Sequence, residues 1–115
     1  DVMSKNKINI PVIGATGLTW LDLVYLLSNH SKVRISYLCA SKSVGKKISF
    51  FDKRIKKKMP TISSIKNINW KKVDIVFLSL PNGEAQKIIL KIYSKFKNLR
   101  FIDLYADFRI KNIKI

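Results

Sequence analysis

Residues 8–27 read INIPVIGATGLTWLDLVYLL, and this stretch decides the fold. It opens with a short run of mostly β-branched apolar residues that stops at Gly14, which predicts a strand over Ile8–Ile13. From about Gly17 to Asn29 the apolar residues recur at helical spacing, which predicts a helix after a glycine-containing turn. The first N–H groups of such a helix have no partners within the helix, and phosphate binds readily there.

Trp20 is the unexpected residue of this unit. Turns of this kind usually carry a third glycine at this position, which lets helix and strand touch closely. Trp20 shares one helical face with Leu23, Val24 and Leu27, so the indole should point toward the sheet. We expect the helix to move outward to admit it, which leaves the phosphate-binding turn slightly misaimed. Pro11 is a second oddity, because proline is normally kept off central strands.

The rest of the chain alternates between strand and helix patterns. Continuous apolarity over Asp74–Leu80 indicates a strand buried on both faces, as in a parallel sheet. In residues 40–72, the least regular part, we expect a short helix, loops and one weak strand near Ile68. The other predicted elements are a strand at Val33–Cys39, a helix at Glu84–Phe96 and a strand at Arg100–Leu104. This order predicts an α/β fold, a doubly wound Rossmann-like parallel sheet with helices on both faces.

Composition limits the class of protein. The 115 residues include 23 Lys and Arg against 7 Asp and Glu, which gives a net charge of +16. Lysines are scattered along the whole chain, so we interpret the densest run, residues 53–58, as a solvated loop and expect no specific nucleic-acid partner. No apolar run is long enough for a membrane helix, and a lone cysteine, Cys39, fits a reducing compartment. We expect a cytoplasmic protein with no membrane partner and no metal site.

The candidate ligand site combines the glycine turn with the segment after the second strand. Gly14 permits the tight turn, Gly17 lets the backbone approach a diphosphate, and Thr16 adds a hydroxyl donor. A carboxylate after the second strand would favour NAD, but hydroxyls and lysines stand there, including Ser41 and Lys42, and these suit a 2′-phosphate. The pattern therefore favours NADPH. The alternative is a plain tight turn without a ligand.

Four strings of sequence, taken in order, carry a resemblance: VIGATGLTWLDLVYLL, YLCASKSVGKKIS, DIVFLSLPNGEA and FIDLYADFRI. Together they resemble N-acetyl-gamma-glutamyl-phosphate reductase, of the semialdehyde dehydrogenase superfamily, over about Ile8–Arg109. The resemblance implies NADPH-dependent reduction of an acyl phosphate to a semialdehyde in arginine biosynthesis, through a thioester on cysteine. It also implies that residues 1–115 are an NAD(P)-binding domain, a fragment that lacks the catalytic and dimerisation domain.

The resemblance also assigns residues of the site. It implies cofactor-binding positions at Gly14, Thr16, Gly17, Leu18, Ser41, Lys42, Leu80, Pro81 and Gly83, and substrate-binding positions at Asp107 and Arg109. It implies no catalytic residue here, because the family's cysteine and histidine lie beyond the matched segment, so this chain alone should be inactive. Cys39 is interpreted as a small buried apolar residue. Any homo-oligomer should form through the missing domain.

Three residues depart from the family pattern: Trp20 at the third glycine, Tyr105 where a serine is usual, and Pro11 in the first strand. Two other functions stay open, an aspartate-semialdehyde dehydrogenase-type NADP domain and a non-catalytic NADP-binding or interaction module. For Asp107 and Arg109 the alternative is a local salt bridge. We predict that Trp20→Gly lowers thermal stability while tightening NADPH binding, because a buried indole stabilises the core.

Overall fold

The architecture is a parallel sheet with helices on both faces. In the part of the chain that the computed structural model describes, residues 7–14, 17–40, 42–81 and 83–104, five parallel strands form one sheet in the order β3-β2-β1-β4-β5. The elements are β1 (Ile8–Gly14), α1 (Leu18–Ser28), β2 (Val33–Cys39), β3 (Ile62–Ser63), β4 (Ile75–Ser79), α2 (Glu84–Tyr93) and β5 (Arg100–Asp103). The predicted fold class is confirmed.

Each face of the sheet buries its own core, because successive side chains of a strand point to opposite faces. Ile10 and Val12 of β1 point to the face covered by α1, where they pack in one cluster with Val24. Ile13 points to the other face, where it packs in a second cluster with Ile92 of α2. The apolar stripe of each helix thus faces the sheet from its own side.

The strand order creates a reversal at the centre of the sheet. From β1 the chain first builds β2 and β3 on one side, and then crosses back to build β4 and β5 on the other. Because all strands are parallel, β1, β2 and β4 end at the same edge, at Gly14, Cys39 and Ser79. Ligands of doubly wound sheets bind at this kind of edge.

Pro11 lies within β1 at the centre of the sheet, where a proline was not expected. β1 pairs with β2 as Ile10↔Ile35 and then as Pro11↔Tyr37, so Ser36 is left without a partner in the ladder. This bulge coincides with the residue that has no N–H to donate to the ladder, and bulges are one of the places where a sheet admits proline. The bulge also reverses the alternation in β2, since Ile35 packs on the α1 face and Tyr37 on the α2 face.

The weak strand predicted near Ile68 is wrong. The third strand lies earlier, at Ile62–Ser63, and pairs with the end of β2. Backbone hydrogen bonds fix it there, because Ile62 N–H donates to the Lys46 carbonyl (2.9 Å) and Gly45 N–H donates to the Ile62 carbonyl (2.8 Å). Ile68 is buried, but as a loop residue that closes the 3₁₀ turn at Ile65–Asn67.

Two helix predictions also change. The short helix expected in residues 40–72 is replaced by three 3₁₀ turns, at Ile48–Phe50, Ile65–Asn67 and Trp70–Lys72. Helix α2 ends at Tyr93 instead of Phe96. Its end tightens into a hydrogen bond from the N–H of residue 95 to the carbonyl of residue 92 (3.0 Å), which turns the chain toward β5.

The lysine-rich run at residues 53–58 forms a turn that is held in place by ion pairs of Arg54. Arg54 Nη2 lies 2.6 Å from Asp52 Oδ2 and 2.7 Å from Asp22 Oδ1 of α1. The hydrogen bond from Arg54 lowers the pKa of the Asp52 carboxyl. The run is therefore a loop, as interpreted from the sequence, and its arginine ties this loop to α1.

Candidate functional site

A cavity of 510 Å³ opens at the carboxyl edge of the sheet and is termed the edge cavity here. The ends of β1, β2 and β4 form its floor, the loops after β2 and β3 form one wall, and the start of α2 forms the other. Its lining residues are Ile13, Gly14, Cys39, Ala40, Val44, Ser64, Ile65, Leu80, Glu84 and Ile88. Most of this lining is apolar, which is typical of a site for a flat organic group.

On the opposite face of the sheet, which α1 covers, the space beside the end of β1 is filled by the Trp20 side chain. The side chain is 1% exposed, and its indole lies where Gly14 would carry a Cβ. An added Cβ at Gly14 would overlap indole Cδ1 and Cγ and lie 2.6 Å from Nε1. Trp20 thus uses the space of the missing Gly14 side chain, while Nε1 finds no hydrogen-bond partner among the described residues. Gly14 is required here for close contact with the indole.

The start of α1 is open to a ligand. Gly17 is the N-cap of the helix, with extended backbone (φ −78°, ψ 174°), and a Cβ added there would meet nothing within 4 Å. The first intrahelical hydrogen bond joins Leu21 N–H to the Gly17 carbonyl (3.0 Å), so the N–H groups of the first helical turn have no intrahelical acceptor. Leu18 is 83% exposed, and the first turn has no acidic residue. This end of the helix suits an anion.

The turn after β4 depends on a glycine conformation. Gly83 has φ +95°, a left-handed conformation that side-chain-bearing residues rarely adopt, and it forms the N-cap of α2. Its carbonyl accepts the Lys87 N–H (3.2 Å), while the preceding Pro81 carbonyl accepts the Glu84 N–H (3.2 Å). Leu80 is buried in the cavity floor. The Leu-Pro-Asn-Gly string therefore sets where α2 begins.

Cys39 lies in the cavity floor but is not an activated nucleophile. The residue is 1% exposed, and burial raises the pKa of its thiol to about 11, against the opposing effect of a hydrogen bond with the Ser63 side chain. The thiol is therefore protonated near neutral pH. The interpretation of Cys39 as a small buried residue is confirmed.

The structure brings together only part of the predicted cofactor set. Gly14 and Leu80 line the edge cavity, and Gly17 and Leu18 lie at the start of α1. The predicted residues outside the cavity lining are Gly17, Leu18, Lys42, Pro81 and Gly83. Thr16, Ser41, Asp107 and Arg109 lie outside the described residues.

Several lining residues were not predicted from the sequence. Ser64 and Ile65 were missed because the third strand was expected six residues later, near Ile68. Glu84 directly follows the Leu-Pro-Asn-Gly string, so its position next to a predicted cofactor turn was the available signal. Val44 belongs to no recognisable motif, and it lies at the cavity because of the path that the loop after β2 takes in the folded chain.

The described ranges contain no helix that is long and apolar enough to cross a membrane. Within the same ranges, no group of three or more His, Cys, Asp and Glu side chains is arranged to hold a metal ion.

Comparison with known proteins places this geometry in a family. Residues 9–114 match the family described as "Semialdehyde dehydrogenase, NAD binding domain". The chain is 43% identical over 109 residues to N-acetyl-gamma-glutamyl-phosphate reductase of Ehrlichia ruminantium (strain Gardel), which covers 93% of this chain and 31% of that protein. It is 35% identical over 114 residues to the protein named "Probable N-acetyl-gamma-glutamyl-phosphate reductase, chloroplastic" of Arabidopsis thaliana, covering 98% of this chain and 28% of that protein.

A solved structure shows the same fold. Aspartate semialdehyde dehydrogenase with NADP from Candida albicans superposes with a TM-score of 0.62 at 24% identity, over 84% of this chain and 29% of that one. The chain thus spans about a third of the length of the proteins to which it is similar.

Proposed function

The chain belongs to the NAD-binding domain family of the semialdehyde dehydrogenases, and on this premise we propose that it is the NADP(H)-binding domain of an N-acetyl-gamma-glutamyl-phosphate reductase. A nicotinamide nucleotide is the cofactor class of this family. The finer assignments, NADPH as the cofactor and an acyl phosphate as the substrate of the longer protein, are proposals.

The observation that carries the proposal is the pairing of two features at one edge of the sheet. The open start of α1, around Gly17, suits the diphosphate of a dinucleotide. The edge cavity suits a flat, uncharged base, because its lining is mainly apolar. The residues present therefore fit a dinucleotide, with its phosphates at the helix and one base in the cavity.

The end of β2 supports NADP over NAD. In NAD-selective domains a carboxylate at this position binds the ribose 2′-hydroxyl. Here β2 ends at Cys39 and is followed by Ala40, while Lys42 is exposed to solvent. A lysine ammonium suits a 2′-phosphate, and Ser41 would add a hydroxyl.

The bound cofactor would supply hydride for reduction of the acyl group. This chain would bind and orient it, through the backbone at Gly17 and the predicted contacts of Leu80, Pro81 and Gly83. Asp107 and Arg109 remain predicted substrate positions, where an arginine suits a phosphate or carboxylate. Cys39 is not suited to form a thioester, because its thiol is buried and protonated. The chain alone should therefore show no reductase activity.

The location and assembly of the protein are further proposals. A single buried cysteine supports a reducing compartment such as the cytoplasm. A homo-oligomer, if the longer protein forms one, would use parts of that protein outside this chain.

A titration of this chain with NADPH and NADH at about 0.15 M salt tests the proposal, since salt weakens nonspecific attraction to a +16 surface. We expect tighter binding of NADPH. Lys42→Gln should weaken NADPH binding and leave NADH binding unchanged. Lys87→Gln, an equal charge change within α2 and not after β2, serves as the matched control. Equal affinities for both nucleotides in the unmodified chain would contradict the preference for NADPH.

A further inference from the structure

We infer that Glu84 recognises the base of the bound nucleotide, with its carboxylate accepting a hydrogen bond from the 6-amino group of a purine held in the edge cavity. This inference rests on the proposed function, because it names a specificity-determining residue of that same site. Glu84 is the first residue of α2 and lines the cavity beside apolar side chains.

The charge of the cavity lining disfavours phosphates inside it. Of the ten lining residues, Glu84 is the only one with a charged side chain at neutral pH, since burial keeps the Cys39 thiol protonated. A carboxylate repels a phosphate and attracts a donor group. The cavity therefore suits an uncharged part of the nucleotide that carries an N–H donor.

The two other polar side chains of the lining, Ser64 and Cys39, each make a hydrogen bond within the protein. Ser64 Oγ accepts a hydrogen bond from Lys66 N–H at 3.2 Å. The Cys39 thiol is hydrogen-bonded with the Ser63 side chain. Glu84 is exposed, and no hydrogen bond or ion pair from a described residue engages its carboxylate, so its oxygens can accept a hydrogen bond from a donor group of the ligand.

The position of the cavity in the sheet selects the adenine end of the dinucleotide. In doubly wound domains the diphosphate lies at the turn after the first strand and the adenosine ribose at the end of the second. The cavity wall opposite Glu84 comes from the loops after β2 and β3, at Val44 and Ile65. The base attached to that ribose therefore lies nearest this cavity, between apolar side chains from both walls.

A nucleotide that differs only at the base tests this assignment. Hypoxanthine carries an oxygen where adenine carries the 6-amino group, and a carboxylate repels that oxygen. We expect the unmodified chain to bind NADPH about ten- to a hundredfold more tightly than nicotinamide hypoxanthine dinucleotide phosphate in its reduced form. Glu84→Gln should bring the two affinities to within about threefold of each other, because an amide both donates and accepts.

The control variant is Asp22→Asn, which makes the same acid-to-amide change on the surface of α1, away from the cavity. It should leave the ratio of the two affinities unchanged. A helix-stabilising role of Glu84 would alter unfolding without altering this ratio. Equal affinities in the unmodified chain, or an unchanged ratio in Glu84→Gln, would overturn the inference while NADPH binding persists. Failure of the unmodified chain to bind either nucleotide would overturn the proposed function, and this inference with it.

Discussion

The two faces of the sheet differ most where β1 ends. On the α1 face the space beside Gly14 is filled by the Trp20 indole, and no room is left for a methyl group. On the α2 face the next residue back, Ile13, borders a cavity of 510 Å³. One strand end thus meets a packed core on one side and a ligand-sized space on the other.

This difference shows that the Trp20 indole takes the place of a close helix–strand contact in the core and does not fill the ligand cavity. In the usual arrangement a third glycine allows α1 to approach the strand closely. Here the indole lies between α1 and β1. The cavity wall formed by α2 is on the other face of the sheet. The residue that looked incompatible with a phosphate-binding turn is therefore compatible with a cavity on the other face.

The largest effect should come from removing the indole. Trp20→Gly should lower the free energy of unfolding by about 3 to 5 kcal/mol, because a buried aromatic side chain leaves a void and a helix gains a glycine. The same variant should bind NADPH more tightly, because removal of the indole lets the start of α1 approach β1 as in the usual three-glycine turn. Chemical denaturation and a cofactor titration on one preparation measure both. Unchanged or weaker cofactor binding would show that the indole does not disturb the site.

Adding a methyl group on the crowded side should come next. Gly14→Ala should cost about 3 kcal/mol of unfolding free energy, because the new Cβ overlaps the indole. The matched control is Gly17→Ala, where a Cβ meets open space and stability should stay within about 0.5 kcal/mol. In a Trp20→Ala background the cost of Gly14→Ala should largely vanish. Additive costs in the double variant would contradict the direct contact.

A larger side chain in the edge cavity should be tolerated without loss of stability, unlike a larger side chain at Gly14 on the α1 face. Val44 is 54% exposed and lines the edge cavity, so Val44→Phe should leave the thermal midpoint nearly unchanged. The larger ring should instead block the base and weaken NADPH binding about tenfold or more. A calorimetric titration with a thermal scan separates the two effects. Loss of stability without loss of binding would assign Val44 to the core and not to the site.

The smallest effect concerns the thiol in the cavity floor. A pKa raised from 9.0 to about 11 means that the thiolate fraction of Cys39 at pH 8 is about a hundredfold below that of an unperturbed thiol. Alkylation should therefore be slow at pH 8, rise about tenfold per pH unit and level off near pH 11. Labelling in denaturant supplies the unperturbed rate. Rapid labelling of the folded chain at pH 8 would show that the cavity floor is open.

The sequence was most informative where one pattern dominates. The apolar run at Val33–Cys39 predicts β2 with its observed bounds, and the helical spacing of Trp20 with Leu23 and Val24 predicts the buried face of α1. The weak strand was misplaced because β3 has two residues, Ile62–Ser63, and is held by pairing that local pattern does not encode.

The candidate site was harder to predict from the sequence, because part of it also depends on contacts between distant segments. Motifs point to glycines and to residues that follow strands, so Gly14, Gly17 and Leu80 were accessible from the sequence. The walls of the cavity come from loops whose course depends on tertiary contacts, such as the hydrogen bond from Gly45 N–H to the Ile62 carbonyl (2.8 Å). Such contacts bring Val44 and Ile65 to the site without any sequence signature.

The structural effect of Pro11 in β1 extends to the neighbouring strand β2. Because the ladder skips Ser36, the later residues of β2 exchange faces, so that Leu38 packs toward α1 and Cys39 toward α2. Without the skip, a leucine would replace the cysteine in the cavity floor. Pro11 and the extra residue in β2 therefore act as one structural unit. Removing the extra residue to restore a regular ladder would also change the shape of the site.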